Sequence, residues 1–502
     1  MLVPRSVQAL PDDLLPASDP LFEEIRLLET AGSPVLQGLP LFTRPWAMMR
    51  LEEALGAELN PERDGLAALR VARALARDRR VPAPGPRSTP RLLQLADGDP
   101  TQRFELSVGL EGRGTVEEDT SFFASGSGLH GRLAAAVGGW SAHAHLMAAH
   151  VPGAEQFADP LVEGEQDFVL HTEESYAQFI SASPRWLWSA AAGRNRFAWG
   201  PGVEGSLLLS AQSAPLSALW ASASLPRWRL HAATIAGTVG ASAGQQWAAH
   251  RIEWEARPGL RLGVAEGVRY LADGWELLYV VGVIPYTLVQ RIQGEDEPDS
   301  VATLRNNVLG EVYFSWRVLP GSRLYGELLL DDLPLKSSDA PSKIGWQLGW
   351  EGVGTVRGRR LAWGGEWTRL SRFVYTSHFG ADWTAQDRPL GYAQGPDSRR
   401  VRAWTTWDFG SDWQARLEAA HTTRGESGLD QPFTPGDPEV DVFDFEGVPE
   451  TTREVQGTLR FWPASGVDLS LSAGGRWTDD AGHVAGAERR TGWGAIQARL
   501  LR

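Results

Sequence analysis

From about residue 100 onward the chain alternates apolar and polar positions with a period of two, the pattern of strands with one dry and one wet face. In 467–477, Val467, Leu469, Leu471, Ala473 and Trp477 share one face, and Asp468, Ser470, Ser472 and Arg476 share the other. Segments 453–462, 360–369 and 311–317 repeat the pattern. Strands are expected to begin near residues 103, 130, 140, 174, 185, 215, 227, 246 and 259, and then near 307, 322, 343, 360, 399, 412, 451, 467 and 489.

The connections between them alternate in length. Tight turns such as Ser183-Pro184, Leu225-Pro226, Arg257-Pro258-Gly259, Pro320-Gly321-Ser322 and Gly410-Ser411 are interleaved with long stretches such as 378–398 and 425–450. Trp186, Trp228, Trp316, Trp413 and Phe461 gather beside the tight turns. A soluble antiparallel sheet also alternates, but it has no reason to keep two unlike ends. An even strand number, short turns at one end, long loops at the other and an aromatic girdle predict a mainly β fold, a transmembrane antiparallel β-barrel of about 18 strands. Residues 103–502 form the barrel in this reading, with both of its ends on the periplasmic side.

Residues 1–80 read as an N-terminal, periplasmic α-helical domain. Asp19-Pro20 is a helix start followed by the apolar face of Phe22, Ile25, Leu27 and Leu28, and Gly32 closes the element. Further helices are expected from Arg44-Pro45 and from Asn60-Pro61. Residues 81–102 begin with the proline-rich run Val81–Pro90 and read as a stiff linker.

The chain has 502 residues, a formal charge of −14, no cysteine and 22 tryptophans. The absence of cysteine excludes disulfides and thiolate metal sites. The negative charge argues against a nucleic-acid partner, because no basic stripe exists to displace counterions. No apolar run is long enough for a membrane helix. Met1–Arg5 carries no apolar leader, so the chain reads as a mature form whose signal peptide has been removed.

The block Gly193-Arg194-Asn195-Arg196-Phe197-Ala198-Trp199-Gly200-Pro201-Gly202, continued by Ser206–Ser210 and Ala214-Pro215, resembles the Wzi-like capsule assembly family. Tyr325-Gly326-Glu327 running to Asp331-Asp332, and the opening helix followed by Pro40-Leu41-Phe42-Thr43-Arg44, are similar as well. The resemblance covers nearly the whole chain. It implies an outer-membrane barrel of 18 strands with a helical bundle at its periplasmic end, located in the bacterial outer membrane. It also implies a non-enzymatic, lectin-like role in binding and organising capsular or other surface polysaccharide. Lipid and polysaccharide are then the expected partners of a monomer, and no cofactor is implied. The alternative is a porin-like channel for solutes. A third reading is a secreted β-protein acting on carbohydrate.

Arg194, Arg196 and Trp199 offer planar donors and a flat face to a glycan, or else belong to a loop folded into the barrel and held by arginine bonds to luminal carboxylates. Trp383, Arg388, Tyr392, Arg399 and Arg400, in or beside loop 378–398, are a second set suited to an acidic polysaccharide. Loop 425–450 adds acidic residues with Phe433, Phe443 and Phe445. Glu327 and Asp331 lie about 13 Å apart at strand spacing, beyond the range of a glycosidase pair. His143 and His145 share a strand face without a third metal ligand nearby. Segment Trp275–Ile292 is apolar where an outer loop is expected, and reads as a plug, a rim element or a kinked strand.

Overall fold

A computed structural model describes residues 14–15, 21–33, parts of 36–47, a short strand at 93–95, and the chain from 102 to 501 apart from gaps, the longer ones at 151–167, 296–305, 332–340 and 434–440. The third expected helix and the proline-rich part of the linker lie outside the described residues, as does most of the second helix, whereas Leu93–Leu95, within the expected linker, is a short strand paired with Phe104–Leu106.

Eighteen long antiparallel strands form a closed barrel. In chain order they are β1 (Gln102–Glu117), β2 (Phe122–Val137), β3 (Trp140–His150), β4 (Phe168–Ala182), β5 (Leu187–Asn195), β6 (Leu216–Leu225), β7 (Leu230–Thr238), β8 (Gln245–Arg257) and β9 (Leu260–Leu271). They continue as β10 (Asn306–Leu319), β11 (Ser322–Asp331), β12 (Lys343–Val356), β13 (Arg359–Leu370), β14 (Ser398–Asp408), β15 (Trp413–Arg424), β16 (Glu450–Ala464), β17 (Val467–Asp479) and β18 (Glu488–Leu501). Each pairs with its neighbours in sequence, and β18 returns to β1 in the register Trp493↔Glu117 to Leu501↔Gly109. Closure leaves no strand edge, which is the condition for a sheet to sit in lipid. The strands expected near 130 and 174 begin earlier, at Phe122 and Phe168; the Gly- and Ser-rich stretch 125–131 hides the alternation of the first.

The pleat separates two chemistries. In β8, Trp247, Ala249, Arg251, Glu253 and Glu255 are buried inside, whereas Ile252 and Trp254 are exposed outside. Val264, Val312, Leu348, Leu417 and Leu471 continue the apolar exterior around the wall. At the short-turn end Trp186, Trp228, Trp316, Trp407 and Trp413 stand exposed as a girdle. An apolar band bounded by aromatics is the surface of a barrel that spans a bilayer.

Helix α1 (Leu21–Ala31) lies at the short-turn mouth, where the Gly321 amide donates to the Thr30 carbonyl at 2.8 Å. Glu23 and Glu24 favour its first turn, and Gly32 at φ 95° ends it. The helix is ringed by the polar lumen, and each of its carboxylates meets a wall arginine. Glu23 pairs with Arg416 at 2.7 Å, Glu24 with Arg360, and Glu29 with Arg261 at 2.8 Å. The second expected helix does not start at Arg44. Thr43–Arg44 is extended and pairs with Ala198–Trp199, so its backbone is satisfied by an outer loop and not by a helical turn.

Candidate functional site

The loop after β5, residues 196–215, folds into the lumen. Two buried wall glutamates hold it through its own backbone. Glu327 of β11 accepts the amides of Gly202 at 2.8 Å and Leu207 at 2.7 Å. Glu366 of β13 accepts those of Val203 at 2.8 Å and Glu204 at 3.3 Å. The sharp turn that presents these amides depends on Gly200 at φ 134°, where an added Cβ would strike Glu327 and Ser206. The loop is therefore an inward plug, and bonds of a polarity not expected from the sequence hold it. Its amides bind wall carboxylates, and the loop's own Glu204 binds wall Arg400 at 2.9 Å.

Trp199 is 1% exposed and sits against the Arg251 guanidinium, 5.6 Å from its ring centre. Arg251 also donates to the Phe42 carbonyl, and the Gly200 amide reaches the same carbonyl at 3.1 Å. Arg196 donates to the Ser213 carbonyl, closing the base of the loop. Arg194 is half-buried on β5, opposite Ser175 and Ser217.

The loop between β13 and β14 covers this plug from the long-loop end. Trp383 is 0% exposed and donates its indole N–H to the Leu208 carbonyl at 2.7 Å. Tyr392 is 1% exposed and donates its hydroxyl to Glu204 at 2.6 Å. Tyr375 donates to the Leu207 carbonyl at 2.5 Å. Burial pushes the phenols of Tyr375 and Tyr392 well above their ordinary value. Trp199, Trp383 and Tyr392 are thus plug residues in this structure, and no ring face is left to stack on a sugar.

Three of the arginines expected there are placed differently. Arg388 and Arg399 are exposed at the long-loop rim, while Arg400 is half-buried. Arg399 lies 5.5 Å from the Phe445 ring centre, and Arg369 lies 4.2 Å from it. Phe443 is exposed beside them and packs on Trp346. Cationic planes and one exposed aromatic ring, Phe443, therefore meet at this rim. The sequence points to loop 425–450 and its phenylalanines but carries no signal that Phe445 docks on Arg369 and Arg399.

A cavity of about 420 Å³ lies between α1, the inward loop and strands β14 to β16, lined among others by Arg44, Arg402, Arg416, Arg460, Glu204 and Glu418. Arg402 and Arg416 are paired with Glu418 at 2.6 and 3.3 Å. Desolvation lowers the Arg44 guanidinium to about 10. Planar donors in this density suit anionic or polyhydroxylated groups. His143 lies against Glu174 at 3.8 Å and stacks on Tyr176, and no group of three metal-ligating side chains occurs among the described residues. Asp331 is a strand-end acceptor, taking the Tyr375 amide at 2.6 Å.

No family model and no curated protein matches the sequence. Among solved structures the chain matches one from Escherichia coli with a TM-score of 0.64 and 14% identity, over 96% of this chain and 98% of that one. That protein is Wzi, described as an outer membrane protein involved in group 1 capsule assembly and as a carbohydrate-binding β-barrel. The fold is that of Wzi. OccAB1 of Acinetobacter baumannii matches at a TM-score of 0.46 and 8% identity, over 79% of this chain and 96% of that one. OccD3 of Pseudomonas aeruginosa matches at 0.43 and 9%, over 79% and 91%. The likeness to Wzi extends over the barrel and the chain that fills it, which agrees with the apolar exterior and the two unlike ends.

Proposed function

We propose that the protein is a barrel of the bacterial outer membrane that binds and organises capsular or other surface polysaccharide, lectin-like and without catalysing a reaction. The observation that carries this reading is the filled lumen. Loop 196–215 is locked to Glu327 and Glu366 by four backbone hydrogen bonds. Helix α1 is locked to the wall at the other mouth by Glu23, Glu24 and Glu29. A porin-like channel needs an open path, and every one of these bonds works against one. The exposed Arg388, Arg399 and Phe443 at the long-loop rim supply hydrogen bonds and a stacking face for an acidic glycan. With α1 at the periplasmic mouth, that rim faces the cell surface.

The test is co-sedimentation of the purified protein with the host's own surface polysaccharide, alongside conductance in planar bilayers. Retention of polysaccharide with no stable open conductance is expected. A large steady conductance without glycan retention overturns the proposal in favour of the channel.

A further inference from the structure

The connection between β9 and β10 contains two short helices, α2 (Leu277–Val281) and α3 (Tyr286–Glu295), joined through Gly282 and Pro285. They do not enter the lumen. They pack on the outside of the wall near its long-loop end, against Ala236, Ala248, Val268 and Val308, all outward-facing residues of β7 to β10. Ala248 is fully covered, while Ile252, two positions further along the same face, is exposed.

Polar groups stand among the apolar ones on the wall under the hairpin. His250 and Glu266 pair at 3.2 Å, and Asn306 lies on the same face nearer the strand end, opposite Tyr270. The hairpin bonds to Glu266, Asn306 and Thr234. The Tyr286 amide donates to Glu266 at 2.6 Å, Asn306 donates to the Tyr279 hydroxyl at 2.8 Å, and Gln290 donates to Asn306 at 2.7 Å. Thr234 donates to the Val280 carbonyl at 3.3 Å. Gly282, at φ 62°, brings its backbone against Thr234 and His250, where a Cβ would not fit. The side turned away from the wall is the reverse: Leu277 and Val283 are 71% and 79% exposed, and Val281, Leu288 and Ile292 are exposed with them.

A polar patch on a lipid-facing wall is costly unless covered. An apolar face of this extent in water is costly as well. Both costs vanish together if the hairpin is part of the lipid-facing surface. We infer that the α2–α3 hairpin lies in the outer leaflet of the membrane, its outward face among lipid acyl chains, continuous with the belt of Ile252, Val264 and Val312 directly beyond it. The hairpin widens the barrel locally at this point. This inference is independent of what the rim binds.

The chain has no cysteine, so a single introduced thiol labels one place. Val283→Cys carrying an environment-sensitive fluorophore is reconstituted in vesicles of phosphatidylcholine with brominated acyl chains. Ile252→Cys serves as the belt reference and Asp441→Cys as the aqueous reference. Quenching of the Val283 label by bromolipid to within about twofold of the Ile252 label, with little quenching by iodide, is expected. Quenching by iodide alone, as at Asp441, overturns the inference. Concentration-dependent cross-linking of Val283→Cys overturns it too, in favour of a second copy on this face. Leu277→Cys repeats the measurement on the other helix, and heat-modifiable migration verifies that each variant is folded.

Discussion

The carboxylate of Glu204 lies 2.9 Å from the guanidinium of Arg400 and joins the inward loop to wall strand β14. The Tyr392 hydroxyl reaches the same carboxylate, so two loops and the wall converge on one charge. Arg400→Gln leaves that charge half-buried and is expected to cost about 1–3 kcal/mol in unfolding. The double variant Glu204→Gln/Arg400→Gln recovers part of the loss, and a double-mutant cycle by denaturant titration reads the coupling directly.

Glu327 accepts two amides of the plug at once. Glu327→Ala strands both and is expected to cost about 2–4 kcal/mol. Because the bonds lost are those of the plug, the variant should also show brief conducting events in planar bilayers that are absent in the parent. A silent variant with lowered stability would separate wall packing from plug retention.

Buried and exposed members of the glycan set should part company. Trp199→Ala is expected to cost about 3–5 kcal/mol, because a large buried ring is removed from a packed interior. Arg388→Ala and Arg399→Ala, at the exposed rim, should change unfolding by less than about 1 kcal/mol while reducing polysaccharide retention severalfold in co-sedimentation. Equal loss of binding in all three would move the glycan contact into the lumen.

Burial would raise the Glu23 carboxyl, but the surrounding guanidiniums, Arg416 foremost and then Arg26, outweigh it and hold the group at about 2. A depressed carboxylate contributes stability that is fully present above the unfolded value of 4.5 and is lost as pH falls towards 2. Glu23→Gln should therefore be less stable than the parent by roughly 2 kcal/mol at pH 6, with the gap closing between pH 4.5 and 2. Thermal unfolding across that range checks it, and a gap independent of pH would assign the effect to packing alone.

The wall was legible because its signal is repeated. Eighteen alternating segments and two unlike classes of turn give many independent readings of one fact. The helix at 21–31 was legible from its capping residues and apolar face, although that face says nothing of the polar lumen the helix enters. The filling was harder to see. That Glu327 and Glu366 receive backbone amides leaves no trace in side-chain chemistry, since any residue except proline carries the donor. Trp199, Trp383 and Tyr392 look the same in sequence whether they stack on a sugar or seal a plug, and only burial tells them apart. The apolar character of 277–295 is legible in the sequence, yet its side of the wall depends on His250 and Glu266 pointing outward.

The pairing of Thr43–Arg44 with Ala198–Trp199 has a mechanical meaning. One partner belongs to the segment that follows the helix at the short-turn mouth, and the other to a loop that descends from the opposite mouth. A pull on the first is passed to the second through this pairing, beside the Phe42 carbonyl that the Gly200 amide and wall residue Arg251 both reach. The two faces of the membrane are tied by a cord running through the middle of a rigid tube, along which displacement at one side can be felt at the other.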